Sequence, residues 1–451
     1  MSKTLIILLV GDFLLAILTN SCFLLAGIQS GDGEISTAGV LSLSAFASVP
    51  VLTTYFSGLY SDEKGFEIKE ILLRIAASLS AAYILLLLIF HLFRWPAVTP
   101  ESLLLVLTVF GVFQFIWHNR FFLLLRIPGV ARKVLVLGVG PQALNIEKML
   151  WETNHNFVLA GFIQLAGEAS VIPAAHILGQ GEDLVETAIR ERIHKIVVSL
   201  SERRGVLPVR DVLKCKLHGI AVVDGLSFYE QVTGKLMIEN INPSWFIFSD
   251  GFRMSPFMHF YKRGFDLLFA LLGIILFLPL LPLLALLIKL DSPGPVLFRQ
   301  TRVGEKDRHF TLYKFRTMRQ DAESLTGAVW AQEDDPRVTR MGRIVRKTRF
   351  DEIPQLLNVL KGDMSFVGPR PERPEFVGQL GEKIPYYSSR HCVKPGITGW
   401  AQVRYPYGAS EEDALEKLRY DLYYIKNYSL WLEFLIILET VKVVLFAKGG
   451  R

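Results

Sequence analysis

The chain has 451 residues, 51% of them hydrophobic, with a mean hydropathy of +0.35 and a formal net charge of +6. That length is too great for a single core, so two or three domains are expected, and the hydropathy is too high for an ordinary soluble protein and points to membrane segments. Residues 252–451 hold 30 Lys and Arg against 22 Asp and Glu; this part is expected to meet phosphate or anionic lipid, and the acids interspersed among its cations argue against a nucleic-acid partner.

Residues 4–27 read as a membrane helix. A signal peptide is disfavoured, because further apolar spans follow and no small-residue cleavage site closes this one. Further spans are expected at roughly 37–59, 71–93 and 101–125, so residues 1–128 should form a four-helix transmembrane bundle. Lys3, Lys64, Lys69, Arg74, Arg120, Arg126, Arg132 and Lys133 fall on one side of these spans and Arg94 on the other. Both ends of the bundle are then cytoplasmic, as expected of a multi-pass membrane protein.

At Ala131 the composition changes to an α/β pattern, expected to form a Rossmann-like cytoplasmic module over 129–234. The run KVLVLGVGPQALNIEKML is a β-branched strand, then Gly138-x-Gly140-x-x-Ala143, then a helix of apolar period 3.6. Strands are expected again at 157–163, 195–200 and 220–224, with helical stretches such as 182–193 between them. A nucleotide cofactor is weakly supported. The second strand ends at Gln164, where a dinucleotide site wants an acid, and the module has no Tyr-x-x-x-Lys pair. An oxidoreductase is therefore the lesser alternative, and an oligomer interface is another use for such a module. Cys22, Cys215 and Cys392 match no metal or redox spacing. Residues 235–260 read as a linker near the membrane surface, rich in aromatics (Trp245, Phe246, Phe248, Phe252, Phe257).

A fifth apolar stretch, 265–290, is long enough to cross a bilayer. Lys262 and Arg263 precede it, while Arg299, Arg302 and Lys306 follow, so the charge rule puts both flanks in the cytoplasm. Pro279 and Pro282 interrupt its middle. A re-entrant helix over 264–290 satisfies both observations, and a kinked full span is the alternative.

Residues 343–374, RIVRKTRFDEIPQLLNVLKGDMSFVGPRPERP, carry the densest chemistry. Asp351 and Glu352 stand where a helix should begin, below Arg343, Arg346, Lys347 and Arg349. Adjacent carboxylates among cations suit phosphate handling, although capping alone would also place acids there. Arg370, between Pro369 and Pro371, has little backbone freedom and reads as a phosphate clamp, with Arg373 a weaker second. In YKFRTM, Lys314 and Arg316 should share one face of an extended segment; a solvated basic face is the alternative. Thr398 and Gln402, in KPGITGWAQV, offer neutral hydrogen bonds to a base or sugar, or simply belong to a turn. Asp421 either orients a basic residue of the site or a metal-bound water, or caps a helix; His391 reads as non-catalytic. The last helix, 429–447, reads as lying in the membrane interface, since Glu433, Glu439 and Lys442 count against a span.

In order, KRGFDLLFALL, DSPGPVLFRQTRVG, YKFRTM, DEIPQLLNVLKGDMSFVGPRP, VKPGITGWAQV and DLYYIKNYSLWLEFLIILETVKVVL resemble the catalytic domain of the bacterial sugar transferases, the monotopic polyprenyl-phosphate hexose-1-phosphate transferases. The resemblance covers 259 to about 448, giving a catalytic domain at 261–451. Residues 1–128 and 129–234 resemble, less specifically, the bundle and CoA-binding-type module of the large members, exopolysaccharide type. The resemblance implies a UDP-sugar donor and undecaprenyl phosphate acceptor at a membrane. It also implies that Asp351 is a covalent nucleophile attacking the β-phosphorus. Glu352 is the candidate Mg²⁺ ligand, since Mg²⁺ takes one or two carboxylates plus substrate phosphates. A nucleotide-binding membrane receptor is the non-enzymatic alternative, and it leaves the Asp-Glu-Arg constellation unexplained.

Overall fold

Long apolar runs and a glycine-punctuated β-branched run produce helices first and a parallel sheet second. The computed structural model describes residues 3–25, 37–60, 68–92, 99–125, 132–152, 157–200, 207–238, 251–252, 255–320, 322, 335–405, 408 and 410–445. It divides into two units, Met1–Phe228 and Tyr229–Arg451. The whole is mostly helical, with a parallel sheet and apolar helices, as expected of a membrane α/β protein.

The first unit opens with α1 (Lys3–Leu25), α2 (Thr37–Ser57), α3 (Ile68–Leu92) and α4 (Pro100–Leu125). α3 and α4 are long and apolar enough to cross a membrane, whereas the apolar stretch described in α1, Ile7–Cys22, is shorter. Small residues (Ala16, Ala47, Ala82) let the helices approach, and Phe46, Leu86 and Phe110 fill the space between them. A carboxylate, Asp12, is fully buried among these helices. Asp12 accepts hydrogen bonds from Tyr60 Oη (2.5 Å) and Gln114 Nε2 (2.7 Å), and His118 Nε2 lies 3.0 Å away. Of the charges used above for orientation, Lys64, Arg94 and Arg126 lie outside the described residues.

The sheet of this unit contains β1 (Arg132–Leu137), β2 (Phe157–Gln164), β3 (Ile177–Gln180), β4 (Lys195–Val198) and β5 (Ala221–Asp224). All pairings are parallel and the order is β3-β2-β1-β4-β5, the doubly wound order. Leu135, Val136, Leu137, Ile196 and Val197 are fully buried. A strand covered on both faces is apolar throughout rather than alternating. The edge strand β3 is only four residues long and contains Gly179, so it leaves no pattern to read. The helices are α5 (Pro141–Glu152), α6 (Leu184–Arg190) and α7 (Val209–Leu217), and α8 (Gly225–Thr233) carries the chain onward.

Trp245, Phe246 and Phe248 of the expected linker lie outside the described residues, and Pro256–Phe277 is already helix α9. Ser255 caps α9 by accepting from the Met258 amide at 3.2 Å, with Pro256 in the first turn. α10 (Leu280–Asp291) follows at a bend of 65°. Pro279 stands at the break, whereas Pro282 sits within the first turn of α10, where a missing amide hydrogen bond costs nothing. One side of this bent pair joins the core through Ala270, Leu284 and Ile288, while Leu268, Leu272, Leu276, Leu283 and Leu286 are exposed.

The remainder of the second unit comprises the antiparallel hairpin β6 (Leu297–Val303) and β7 (His309–Phe315), then α11 (Arg340–Lys347) and α12 (Gln355–Lys361). Next come β8 (Ser365–Val367), α13 (Pro374–Lys383), β9 (Gly396–Thr398), α14 (Trp400–Arg404), α15 (Glu411–Lys426) and α16 (Leu430–Leu445). Lys262 of α9 donates to Glu433 of α16 at 2.8 and 2.9 Å and to the Val367 carbonyl at 3.1 Å. Tyr424 Oη also donates to Glu433, so the charge that argued against a span is fully buried and partnered inside the protein.

Candidate active site

The backbone presents the acidic pair by a reversal. α11 begins at Thr339, whose hydroxyl accepts from the Gly342 amide at 3.0 Å, and it ends at Lys347. Arg349 then adopts φ +61°, a left-handed conformation that costs a non-glycine residue on the order of 1 kcal/mol. The chain turns there, so Phe350–Glu352 forms one 3₁₀ turn and α12 starts only at Gln355. Asp351 and Glu352 thus lie one turn ahead of the helix they were expected to begin, with Pro354 as its N-cap. Both are 8% exposed. Asn358 of α12 ties this turn to the hairpin: it donates to the Thr311 carbonyl (2.7 Å) and accepts from the Tyr313 amide (3.1 Å), placing the next residue, Lys314, beside the pair.

Three cations converge on Glu352 Oε1: Arg370 Nη2 at 2.8 Å, Lys314 Nζ at 3.3 Å and Arg349 Nη1 at 3.9 Å. Asp351 is held more loosely, with Oδ2 3.9 Å from Lys314 Nζ. The two carboxyls are driven apart. Burial pushes Asp351 up to about 6, Lys314 pulls it down, and the Glu352 charge adds to the rise. Burial also opposes ionisation of Glu352, but Arg370, Lys314 and Arg349 outweigh it and hold that carboxyl well below the usual range. Burial lowers Lys314, with Glu352 acting the other way.

Arg370 is fixed from three sides. Its Nη1 donates to Gln402 Oε1 at 3.0 Å, its Nη2 meets Glu352, and its carbonyl accepts from Arg390 Nη2 at 3.0 Å. Arg390 is itself buried, donates to Tyr387 Oη at 2.8 Å and forms an ion pair with Asp421 at 2.8 Å. Burial raises Asp421 to about 6, with Arg390 opposing. Beneath Arg370, β8 and β9 pair in parallel, and a Cβ on Gly368 would lie 2.4 Å from the Lys394 carbonyl oxygen. Only glycine permits that approach.

The structure therefore brings together Asp351, Glu352, Lys314, Arg370 and Gln402, and connects Asp421 to them through Arg390. Four expected residues are placed differently. Arg316 does not share the side of Lys314, because β7 ends at Phe315. It is buried, and its guanidinium binds the Pro293 (2.9 Å) and Ser292 (2.6 Å) carbonyls at the C-terminal end of α10. The alternation that placed it with Lys314 holds only while the strand lasts. Arg373 is the N-cap residue of α13 and lies 3.5 Å from Glu375, with its guanidinium over Phe376. Thr398 Oγ1 pairs with Thr440 Oγ1 at 2.6 Å, joining β9 to α16. His391, read without a partner, lies 2.6 Å from Asp307. The reading missed Arg390 and the Lys262–Glu433 pair; neither has a local signal, because their partners come from distant segments.

Among the described residues no group of three or more His, Cys, Asp or Glu converges on one point. Asp351 and Glu352 still offer adjacent carboxylate oxygens. Mg²⁺ takes one or two carboxylates together with substrate phosphates, and Glu352 is the carboxylate here that would serve as such a ligand.

Comparison with known proteins gives a consistent result. The family described as Bacterial sugar transferase matches residues 257–447. The chain is 47% identical over 242 residues to a UDP-N-acetylgalactosamine-undecaprenyl-phosphate N-acetylgalactosaminephosphotransferase of Aeromonas hydrophila, covering 54% of this chain and 56% of that one. It is 37% identical over 332 residues to an undecaprenyl-phosphate glucose phosphotransferase of Komagataeibacter xylinus, covering 71% and 60%. It is 46% identical over 185 residues to the exopolysaccharide production protein PSS of Rhizobium leguminosarum bv. phaseoli, covering 40% of this chain and 92% of that one. The first two matches thus span little more than half of those relatives' own lengths.

Proposed function

The chain belongs to the bacterial sugar transferase family, and from that premise we propose that it transfers a sugar 1-phosphate from a UDP-sugar to undecaprenyl phosphate, initiating glycan or exopolysaccharide assembly. The observation that carries this reading is the division of labour in the acidic pair. Glu352 is fixed as an anion by three cations, while Asp351 is loosely held and titrates near neutrality, at about 6.

In the reaction, an Asp351 carboxylate oxygen attacks the β-phosphorus of the donor. The bond from that phosphorus to the bridging oxygen breaks, and UMP leaves with the electron pair. A phosphate oxygen of the lipid then attacks the same phosphorus, the acyl-phosphate bond to Asp351 breaks, and the carboxylate is restored. Arg370 and Lys314 would hold non-bridging oxygens, and Gln402, which accepts from Arg370, would orient it; the contacts of both cations with Glu352 support this reading. Glu352 would hold Mg²⁺, which when bound neutralises diphosphate charge. Desolvation of the pair keeps water from competing for the phosphorus.

The N-terminal helices are proposed to cross the bacterial inner membrane as a four-helix bundle, and the α9–α10 pair to enter and leave on the cytoplasmic face. The 65° bend and the exposed leucines of that pair support the latter reading, which would bring the Asp351 site to the surface where a lipid phosphate and a soluble nucleotide meet. The test is to incubate membranes with labelled UDP-sugars and undecaprenyl phosphate, with and without Mg²⁺, for the protein and for Asp351→Asn. The variant is expected to release no UMP and to take up no label on the protein. Unchanged UMP release in the variant would refute the role of Asp351.

A further inference from the structure

The sheet of the first unit begins as a phosphate-binding unit does. β1 ends at Leu137, Gly138 adopts φ +118°, and α5 starts just beyond Gly140. In such a turn the backbone amides at the helix start point outward and take the oxygens of a nucleotide's phosphates. Here two of them are already taken. Glu168 Oε1 accepts from the Gly140 amide at 3.0 Å, and its Oε2 accepts from the Val139 amide at 3.0 Å.

The carboxylate is held in place from several directions. Glu168 follows β2 by four residues, in a turn closed by its amide on the Leu165 carbonyl (3.3 Å), with Gly167 at φ +80°. Gln164 Nε2 donates to the Glu168 carbonyl at 3.4 Å, and the Val171 amide donates to the Val139 carbonyl at 3.0 Å, fastening the loop over the glycine turn. A Cβ at Gly140 would lie 3.0 Å from Glu168 Oε1, so the small residue serves the approach of this carboxylate. α5 has no acidic residue in its first turn, leaving Glu168 as the anion at that end of the dipole.

We infer that Glu168 is a tethered anion standing in for phosphate, and that the module takes no nucleotide at its glycine turn. Two carboxylate oxygens on two adjacent amides reproduce the contacts of two phosphate oxygens. A diphosphate would have to expel a group tethered beside the same donors and then lie next to its negative charge. The glycine signature here marks a closed, self-capped turn.

The test is amide hydrogen exchange on the full-length protein in lipid nanodiscs, read in peptides covering 135–145. In the unaltered protein, millimolar NAD⁺, ADP or pyrophosphate should leave exchange there unchanged. In Glu168→Ala both the Val139 and Gly140 amides should exchange about tenfold faster or more, the loss of a hydrogen bond to a charged group, and in Glu168→Gln, which keeps one acceptor oxygen, at least one of the two should. Unchanged exchange in β4 would show that the sheet remains folded. Protection of 135–145 by any of the three probes in the unaltered protein would overturn the inference. So would exchange at Val139 and Gly140 that neither substitution accelerates.

Discussion

Replacing Lys314 with methionine tests the electrostatic account of the acidic pair. Asp351 acts as a nucleophile only when ionised. Its folded value of about 6 therefore predicts that kcat/KM falls as pH drops through about 6. Lys314 lies 3.9 Å from Asp351 and is the strongest influence lowering that value. A unit-charge pair near 4 Å interacts by about 4 kcal/mol at an effective dielectric of 20, an upper bound before solvation is counted. Charge partners at such range move carboxyls by about one to three pH units. Without Lys314, Asp351 also faces the Glu352 charge with less compensation, because Glu352 keeps Arg370 and Arg349. The acid limb of kcat/KM should then move from about 6 up to between about 7 and 9. At pH 7 the ionised fraction falls from about nine-tenths to between about one-half and one-hundredth. The assay is UMP release at sub-saturating UDP-sugar across pH 5 to 9.5. A lower plateau would reflect a lost phosphate contact and is a separate readout. An acid limb that stays at about 6 in Lys314→Met refutes the electrostatic account of the pair.

Three further outcomes follow from the same geometry. Asp351→Asn should raise thermal stability at pH 7.5: the folded carboxyl is raised from 3.8 to about 6, so wild-type stability is lost as pH rises through about 6. The gain, at most about 3 kcal/mol, should shrink at pH 5.5, and scanning fluorimetry at the two pH values measures both. Lys262→Met or Glu433→Leu alone strands a buried charge and should cost about 3–5 kcal/mol, while the double variant should recover much of the loss; a double-mutant cycle in denaturant decides. Asp421→Asn loosens Arg390 and, through it, the Arg370 backbone, so kcat/KM should fall between about 10- and 100-fold with the fold intact by circular dichroism.

Legibility followed distance along the chain. The strands at Arg132–Leu137 and Phe157–Gln164 were readable because buried parallel strands are apolar runs, and the break at Pro279 because proline acts on its own backbone. Arg316 illustrates the limit. Two cations two residues apart share a face only in a continuing strand, and the end of β7 sends one to Glu352 and the other to the end of α10. Glu433 shows the same limit differently: its charge was visible in an apolar helix, but its partner is 171 residues away.

By itself, the sequence determined the classes of segment and the chemistry available at residues 343–374: apolar runs of membrane length, a glycine turn after a strand, and adjacent carboxylates among arginines. Those are properties of near neighbours, set by hydropathy, backbone freedom and charge. Only the tertiary structure decided which cation meets which acid, because Lys314 reaches Glu352 across 38 residues and Arg370 across 18. Packing alone placed Glu168 on the amides of Val139 and Gly140. Pairings of that kind depend on burial and on a few ångströms of approach, which no local pattern encodes.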